Sequence, residues 1–178
     1  NNSRCARPPV KLNFVLAESA LELVPKEIWR SPAVVSDSRR RGADPSRILL
    51  DRSYHHSAMT RLRDSEKRGR PDLVHAALLS VTGTPLFLEG SVRVFVHTNS
   101  DLVLEVAEKT RIPKSYFRFR GLAEKLLSEK TGEELVKVYG ASMRELVKKT
   151  ISPDIVFGLS VQGRQMKIED LALRRHSL

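Results

Sequence analysis

Residues 68–80 have the sequence Arg-Gly-Arg-Pro-Asp-Leu-Val-His-Ala-Ala-Leu-Leu-Ser, and this stretch decides how the fold is interpreted. Proline suits the first turn of a helix, where its missing N–H is not needed, and an early aspartate interacts favourably with the positive end of the helix dipole. Because residues 73–79 are apolar apart from His75, the pattern predicts a buried helix with Arg70 and Asp72 at its start. For an isolated Arg-Pro-Asp sequence the commoner alternative is a capping aspartate beside a solvated arginine.

The composition is that of a basic protein with enough apolar residues for a core. The 178 residues include 31 Lys and Arg against 21 Asp and Glu, a formal net charge of +10, and 40% of them are hydrophobic. Such an excess of positive charge predicts a polyanionic partner, with nucleic acid as the first candidate, although a merely basic protein has the same totals. The single Cys5 cannot form a disulfide within this chain, and no Cys/His set has zinc spacing, so we expect no metal.

No membrane-spanning or secretory segment is predicted. No run approaches the ~18 apolar residues of a membrane span. Residues 1–9 lack the apolar middle of a signal peptide. We therefore expect a soluble, cytoplasmic protein that does not associate with membranes, with a disordered start at residues 1–9.

Short apolar runs alternate with helical patterns along the chain. The runs at 12–16, 48–51 and 154–160 are typical of buried parallel strands, and 134–139 is a further short strand. Helical patterns occupy 17–23, 53–62, 142–149 and 167–174. The alternation predicts an α/β fold, with a mostly parallel sheet and helices on both faces, in a single domain over 1–178. Of the adjacent histidines at 55 and 56, one is expected to be packed and the other solvated.

A β-hairpin interrupts this alternation. Residues 91–97 and 102–106 each alternate apolar and polar side chains, and turn-forming residues lie between them at 98–101. This pattern is typical of an antiparallel hairpin. Since it breaks the strand–helix order, we predict an inserted hairpin, at 91–107, that projects from the main sheet.

Residues 109–121 form a basic stretch with five cations, no acid and three aromatic residues. They predict a helix from about 113 to 130 with three core-facing side chains, those of Phe119, Leu122 and Leu126. Cations beside a helix N-terminus can bind successive phosphates, so we predict RNA contacts for Arg111, Lys114 and Arg118, and also for Arg120 of the same stretch. The alternative is a solvated face, which is the usual role of a run of charges by itself. Tyr116 and Phe117 have two possible roles, base stacking and core packing, and core packing is the commoner one at helical spacing.

Three blocks of the sequence together resemble one family. They are Ile-Leu-Leu-Asp at 48–51 with His55-His56 after it, Arg-Pro-Asp-Leu-Val-His at 70–75, and Arg-Ile-Pro-Lys at 111–114 leading to Arg-Phe-Arg-Gly-Leu at 118–122. In this order, with the last two blocks on either side of the hairpin, they resemble the ribosome-biogenesis pseudouridine methyltransferases, the Nep or Emg family of the SPOUT superfamily, in an archaeal-type form. The likeness extends over nearly the whole chain.

The resemblance implies a homodimeric enzyme that uses S-adenosylmethionine to methylate N1 of a pseudouridine in small-subunit rRNA. It implies that Arg70 and Asp72 are catalytic and hold the target base, with Arg70 also contacting RNA. Because N1 of pseudouridine carries a proton, a carboxylate such as Asp72 can accept or polarise that proton, and general-base help of this kind is typically worth about 10²–10⁴-fold in rate.

For the remaining sites, the resemblance implies that the RNA backbone is held by Arg111, Lys114 and Arg118. It also implies that Leu159 and Ser160 form one wall of the cofactor pocket. Members of the family complete their fold with a trefoil-knotted C-terminal region, which does not follow in these 178 residues, so we expect that knot segment to be missing here. The alternative function is a non-catalytic rRNA-binding assembly factor that uses the same basic surface. A helical protein-interaction module fits the acid-free basic stretch poorly.

Overall fold

The computed structural model describes residues 12–108, 110–130 and 135–167. The chain divides into two compact units, Asn1–Met143 and Arg144–Leu178. The first unit contains the sheet and the helices that pack on it. A single domain over 1–178 stays a prediction.

The first unit is built on a four-stranded sheet with the strand order β1-β2-β3-β4. The strands are β1 (Leu12–Ser19), β2 (Val92–Thr98), β3 (Leu102–Val106) and β4 (Val136–Gly140). β1 runs parallel to β2, with Phe14 opposite Val94, whereas β2 with β3 and β3 with β4 are antiparallel pairs. The prediction of a mostly parallel sheet is therefore wrong, because two of the three described strand pairs are antiparallel and the sheet is mixed.

The predicted hairpin is confirmed as β2 and β3, but it forms the middle of the sheet and does not project from it. Val94 and Val96 are fully buried on one face, and Phe95 and Val103 are fully buried on the other. A strand that is apolar on both faces is stable only where both faces are covered. The alternation showed correctly that these residues form strands, but it did not show that β1 and β4 flank them.

Five helices of the first unit connect or cover the strands in the described part of the chain. They are α1 (Pro32–Arg41), α2 (Arg52–Met59), α3 (Pro71–Thr82), α4 (Pro85–Leu88) and α5 (Tyr116–Glu129). Proline occupies the start of α1, α3 and α4, the position where its missing N–H costs nothing. α1 ends in three arginines followed by Gly42 in the left-handed conformation (φ +60°).

Two hydrophobic clusters hold these elements together. In the larger one, Val74 and Leu78 of α3 and Phe119 and Leu126 of α5 pack against one face of the sheet, and Leu122 lies at the edge of the cluster. The three inward positions predicted for α5 are therefore confirmed. The smaller cluster joins Val34 of α1 and Met59 of α2 to Ile28, which lies in a 3₁₀ turn at Lys26–Ile28, and to Ile48 and Leu50 of an extended segment.

Two predicted elements near the start of the chain have a different form. β1 continues to Ser19, which still pairs with Thr98 of β2, so the helix predicted at 17–23 is wrong. Residues 48–51 are buried and extended as expected, but they lie outside the sheet: Val24 N–H donates to the Ile48 carbonyl at 2.8 Å, and Leu50 N–H donates to the Glu22 carbonyl at 2.9 Å. This local pairing satisfies backbone hydrogen-bonding groups of the segment, so the segment does not have to pair with a strand of the sheet.

The second unit contains most of a helical segment that runs from α6 (Met143–Glu145) into a π-helical stretch at Leu146–Ile151. This confirms the helix predicted at 142–149. The buried strand predicted at 154–160 is wrong, since these residues form no strand and Val156, Phe157 and Leu159 are exposed. The predictions for 1–9 and for nearly all of 167–174 lie outside the described residues. No helix in the described ranges is long and apolar enough to cross a membrane.

Candidate active site

The candidate site begins at the N-terminus of α3, where the sequence predicted it. Arg70 is the residue before the helix, Pro71 starts it, and Asp72 lies in its first turn. Gly69 precedes them with φ +65°, and an added Cβ would lie 2.8 Å from the Met59 Cε atom. Only glycine adopts this conformation without strain and leaves room for that packing. The Gly69 carbonyl also accepts a hydrogen bond from the Arg52 N–H at 2.9 Å, which fixes the approach to Arg70.

Arg70 and Asp72 form a two-pronged ion pair. The Arg70 Nε atom donates to Asp72 Oδ1 at 2.9 Å, and Nη2 donates to Oδ2 at 2.8 Å. Both side chains remain accessible, with 43% and 50% of their surface exposed. The hydrogen bond from Arg70 lowers the pKa of the Asp72 carboxyl and raises the pKa of the guanidinium. Asp72 is therefore ionised and engaged, and it is neither a simple helix cap nor a free base.

Three contacts bring the N-termini of α2, α3 and α5 together at this place. The Gly69 carbonyl joins α3 to α2, as described above. The His75 Nε2 atom of α3 lies 2.7 Å from the Pro113 carbonyl, just before α5, and the His75 ring stacks on Phe119 at 4.5 Å. The Tyr116 hydroxyl of α5 donates to Asp51 Oδ2, just before α2. Helix N-termini carry partial positive charge, so their convergence creates a place that favours anions.

Asp51 and Tyr116 are neighbours in the candidate site whose contact could not be predicted from the sequence. Asp51 caps α2, because its Oδ1 atom accepts a hydrogen bond from the Ser53 N–H at 2.8 Å. Burial of the Tyr116 hydroxyl, together with its hydrogen bond to Asp51, raises the pKa of Tyr116 above its ordinary value. The available signal was the Ile-Leu-Leu-Asp run, which placed an aspartate at a helix start but gave no indication of its partner.

The burial predicted for the adjacent histidines at 55 and 56 is confirmed, and a third histidine, His75, is buried as well. His75 is a buried residue whose ring is satisfied by a carbonyl and a stacked aromatic ring. His55 is fully buried and accepts a hydrogen bond from the Asp51 N–H at 3.1 Å, whereas His56 is exposed. Burial lowers the pKa of His55, although the nearby Asp37, 3.4 Å from its Nε2 atom, acts in the opposite direction.

Three of the predicted RNA-binding cations lie on the surface beside these helix N-termini. Arg111 and Lys114 belong to the segment that leads into α5, and Arg118 lies in the first turn of α5; all three are exposed. Because α5 begins at Tyr116, three residues later than predicted, Lys114 lies before the helix and does not share a helical face with Arg118. Within the described part of the chain, no carboxylate pairs with any of the three.

Arg120 and the two predicted cofactor residues are in different surroundings. Arg120 is only 6% exposed, and its guanidinium carbon lies 5.6 Å from the Tyr54 ring centroid and 5.1 Å from that of Phe117. This burial argues against the direct RNA contact predicted for Arg120. Leu159 and Ser160 belong to the second unit, where Leu159 is 88% exposed and Ser160 Oγ accepts a hydrogen bond from the Gln162 N–H at 3.3 Å.

The described geometry defines a class of protein: an α/β protein with an Arg–Asp pair and free cations gathered at converging helix N-termini, a surface suited to a polyanion. A family model described as EMG1/NEP1 methyltransferase matches residues 14–177. The chain belongs to this family.

Similar proteins support the same assignment. A ribosomal RNA small subunit methyltransferase Nep1 from Thermococcus onnurineus is 43% identical over 162 residues, which cover 89% of this chain and 74% of the relative. The protein of the same description from Staphylothermus marinus is 42% identical over 165 residues, with 90% and 71% covered. A crystal structure of Archaeoglobus fulgidus Nep1 bound to S-adenosylhomocysteine has a TM-score of 0.73 and 41% identity, and the match covers 79% of this chain and 65% of that one.

Proposed function

We propose that this protein is an S-adenosylmethionine-dependent methyltransferase that acts on N1 of a pseudouridine in small-subunit rRNA, with a role in ribosome biogenesis. The observation that carries the proposal is the accessible Arg70–Asp72 pair at the meeting point of three helix N-termini, in a chain of the EMG1/NEP1 family. The names of its relatives, which describe small-subunit rRNA methyltransferases, support the substrate class.

The RNA backbone binds to the cations that surround this pair. Arg111, Lys114 and Arg118 are exposed, and none of them forms an ion pair with a described carboxylate. They are therefore available to bind phosphates. Each cation that neutralises a phosphate releases counterions, which makes binding dependent on salt. Because phosphate contacts position the RNA without reading its sequence, these residues orient the loop that carries the target base. Arg120 takes no direct part, since it is buried between two rings.

Arg70 and Asp72 act on the base itself. The N1–H of pseudouridine must lose or share its proton before the nitrogen attacks a methyl group, and the Asp72 carboxylate accepts that proton or its hydrogen bond. In the free protein both Asp72 oxygens are engaged by Arg70. The incoming RNA therefore has to draw Arg70 away, towards a base carbonyl or a phosphate, before Asp72 meets N1–H.

We further infer that Leu159 and Ser160 form one wall of the cofactor pocket. Leu159 offers an exposed apolar side chain, and Ser160 offers a hydroxyl beside a turn closed by the Gly163 N–H, which donates to the Ser160 carbonyl at 2.9 Å. These are the groups expected against the apolar and polar parts of an adenosyl group. S-adenosylmethionine, when bound, supplies an activated methyl group.

The proposal also covers the domain organisation, the oligomeric state, the cellular location and the metal requirement of the protein. We infer a single SPOUT-type domain, with helices on both faces of the sheet and the knotted segment outside the described residues. We also infer a cytoplasmic homodimer that needs no metal ion. The likeness to a solved Nep1 structure at 41% identity supports the SPOUT assignment.

The experiment that tests the proposal measures methyl transfer. The protein is incubated with S-adenosylmethionine labelled in its methyl group and with a small-subunit rRNA hairpin that contains either pseudouridine or uridine at one loop position. We expect label only in the pseudouridine RNA, with Asp72→Asn reducing transfer by about 10²-fold or more while RNA affinity is retained. Asp64→Asn is the matched control, because Asp64 is an exposed aspartate paired with Arg63 outside the site.

Two results would contradict the proposal. Tight, salt-dependent binding of the hairpin without methyl transfer would favour the non-catalytic assembly factor. Full activity of Asp72→Asn would show that the carboxylate neither accepts nor polarises the proton.

A further inference from the structure

Two aromatic rings and two guanidinium groups alternate beside the candidate site. The Arg40 guanidinium carbon lies 4.8 Å from the Tyr54 ring centroid, and Arg120 lies between Tyr54 and Phe117 at 5.6 Å and 5.1 Å from their centroids. The order is therefore Arg40, Tyr54, Arg120, Phe117. These side chains come from α1, α2 and α5, so three separate helices build the arrangement.

The exposed end of this ladder is the Phe117 ring. Phe117 is 72% exposed and Tyr54 is 41% exposed, whereas Arg120 behind them is almost fully buried. Core packing, the commoner role expected for Phe117, is instead carried by its neighbour Phe119, which is buried in the main cluster. Phe117 therefore holds a large apolar surface in water, and the folded core gains little from it.

Two neighbouring residues restrain the position of Phe117. It follows Tyr116 directly, and the hydroxyl of Tyr116 is bonded to Asp51 at the start of α2. The Arg120 guanidinium supports the ring from the same helix, one turn further on. A restrained, exposed ring loses less conformational entropy than a free one when a flat partner stacks on it.

We propose that Phe117, backed by Arg120 and Tyr54, is a stacking platform for an unpaired base of the RNA. This inference rests on the proposed function, because it assigns a further contact of the same RNA. Unpaired bases in RNA loops stack on aromatic side chains and on arginine planes, and both kinds of surface alternate here. Charge favours RNA over an apolar protein partner, since the exposed Arg118 follows Phe117 directly and the whole chain has a net charge of +10.

The test compares two RNAs and three variants by direct binding. The RNAs are a hairpin with an unpaired loop and a fully paired duplex of equal length. We expect Phe117→Ala to raise the Kd for the hairpin about 5- to 100-fold, as for loss of one base–aromatic stack, and to leave the Kd for the duplex unchanged. Phe117→Trp should restore hairpin binding. The control is Leu86→Ala, another exposed apolar residue (55%), on α4, beyond the C-terminal end of α3.

Salt dependence separates stacking from charge. Phe117→Ala removes no charge, so the slope of log Kd against log salt should stay the same, whereas Arg118→Gln should reduce it by almost one unit. Because Phe117 is exposed, its truncation should leave the melting temperature unchanged, and a fall of several degrees would overturn the assignment.

Other outcomes distinguish this inference from the proposed function. If the wild-type protein binds the hairpin and transfers methyl groups while Phe117→Ala binds equally well, only the platform is refuted. If Phe117→Ala loses affinity for hairpin and duplex alike, or changes the sedimentation of the free protein, the ring has a structural or subunit-contact role and the platform is refuted. If the wild type neither binds the hairpin nor methylates it, the proposed function fails and the platform fails with it.

Discussion

The Tyr116 hydroxyl gives a quantitative test of how the candidate site is held together. It joins the first residue of α5 to Asp51, which is 4% exposed and caps α2. Tyr116→Phe removes this single oxygen and keeps the ring, whose centroid lies 5.8 Å from that of His75 and 6.5 Å from that of Phe119. The variant therefore isolates one hydrogen bond between two of the three converging helix N-termini.

The expected loss of stability follows from the kind of bond that is removed. Hydrogen bonds to charged groups contribute about 1.5–3 kcal/mol. Asp51 keeps its hydrogen bond from the Ser53 N–H, so the carboxylate is not left wholly without partners. We therefore expect the free energy of unfolding to fall by about 2 kcal/mol. The urea m-value should stay the same, because the surface exposed on unfolding hardly changes.

A double-mutant cycle with Asp51→Asn assigns this loss to the pair. Asparagine is as good an N-cap as aspartate, so the cap of α2 persists while the charge is removed. Urea unfolding of the wild type, both single variants and the double variant should give a coupling energy of about 1–2 kcal/mol between positions 51 and 116. A coupling energy below about 0.5 kcal/mol would refute the claim that this bond ties α5 to α2.

Tyr116→Phe should also change how the stability of the protein depends on pH in alkaline solution. Burial, and then the hydrogen bond to Asp51, raise the pKa of Tyr116 above its ordinary value of 10.0. The stabilisation by Tyr116 is fully present below pH 10 and is lost as the pH rises above it, because the unfolded chain then loses its tyrosine proton first. The difference in stability between wild type and Tyr116→Phe should therefore shrink above pH 10. A difference that stays constant from pH 8 to pH 11 would contradict this.

Three further predictions concern the support of the site. Gly69→Ala should destabilise the protein by about 1–2 kcal/mol, because the φ of +65° at Gly69 is left-handed. Gly121 lies inside α5 with open space around it, so Gly121→Ala should stabilise the protein by about 0.5–1 kcal/mol. Equal shifts in the melting temperature of the two variants would refute the argument. Glu124→Gln should lower the free energy of unfolding, measured with urea, by about 3 kcal/mol, because Glu124 and Arg41 form a largely buried ion pair with two contacts of 2.7 and 2.6 Å. A loss below about 1 kcal/mol, the value for a surface pair, would contradict this. Since burial lowers the pKa of His55, the wild type should lose stability as the pH falls below 6.5, where the unfolded chain binds the proton first. In His55→Gln the stability should no longer fall for this reason. Identical profiles of stability against pH in the two proteins would refute the role given to His55.

The sequence predicted correctly those features of the fold that depend on residues close together in the chain. Proline followed by aspartate placed the start of α3 correctly, because the first turn of a helix needs no proline N–H. The alternation in 91–106 predicted the β2–β3 hairpin, and the helical spacing predicted the inward faces of Phe119 and Leu126. Each of these features depends on neighbours within a few residues.

Pairing between distant segments was not predictable in the same way. β1 pairs with β2 across about 80 residues of sequence, and nothing in either segment indicates this partner. The predicted strand at 48–51 has the same apolar character as β1, yet its backbone is satisfied by residues 22–24. Hydrophobicity indicates that a segment is buried, but backbone hydrogen bonds decide which segment it joins.

The candidate site shows the same division at the level of side chains. Arg70 and Asp72 were found from sequence because they flank a proline, whereas the contact from Tyr116 to Asp51 joins residues that are 65 apart in sequence. Phe117 and Phe119 look equivalent in a basic, aromatic stretch, yet one is exposed and the other is buried. Their difference of two positions turns the side chain by about 200° around the helix axis, so the uncertain start of α5 left the two roles open.

The ion pair at the start of α3 has a consequence for when the site is active. Arg70 occupies both oxygens of Asp72 and lowers its pKa, so the carboxylate is a poor proton acceptor while the protein is free. Under the proposed function, RNA competes for Arg70 with its own acceptors and releases Asp72, whose pKa then returns towards the ordinary value. Basicity is thus restored only when substrate is present. Arg70→Gln should therefore weaken RNA binding and also remove this coupling. The acid limb of the pH profile of kcat/KM, which reports the free enzyme, should then shift to higher pH, whereas that of kcat should stay in place. An unshifted acid limb of kcat/KM would show that the pair does not control the basicity of Asp72.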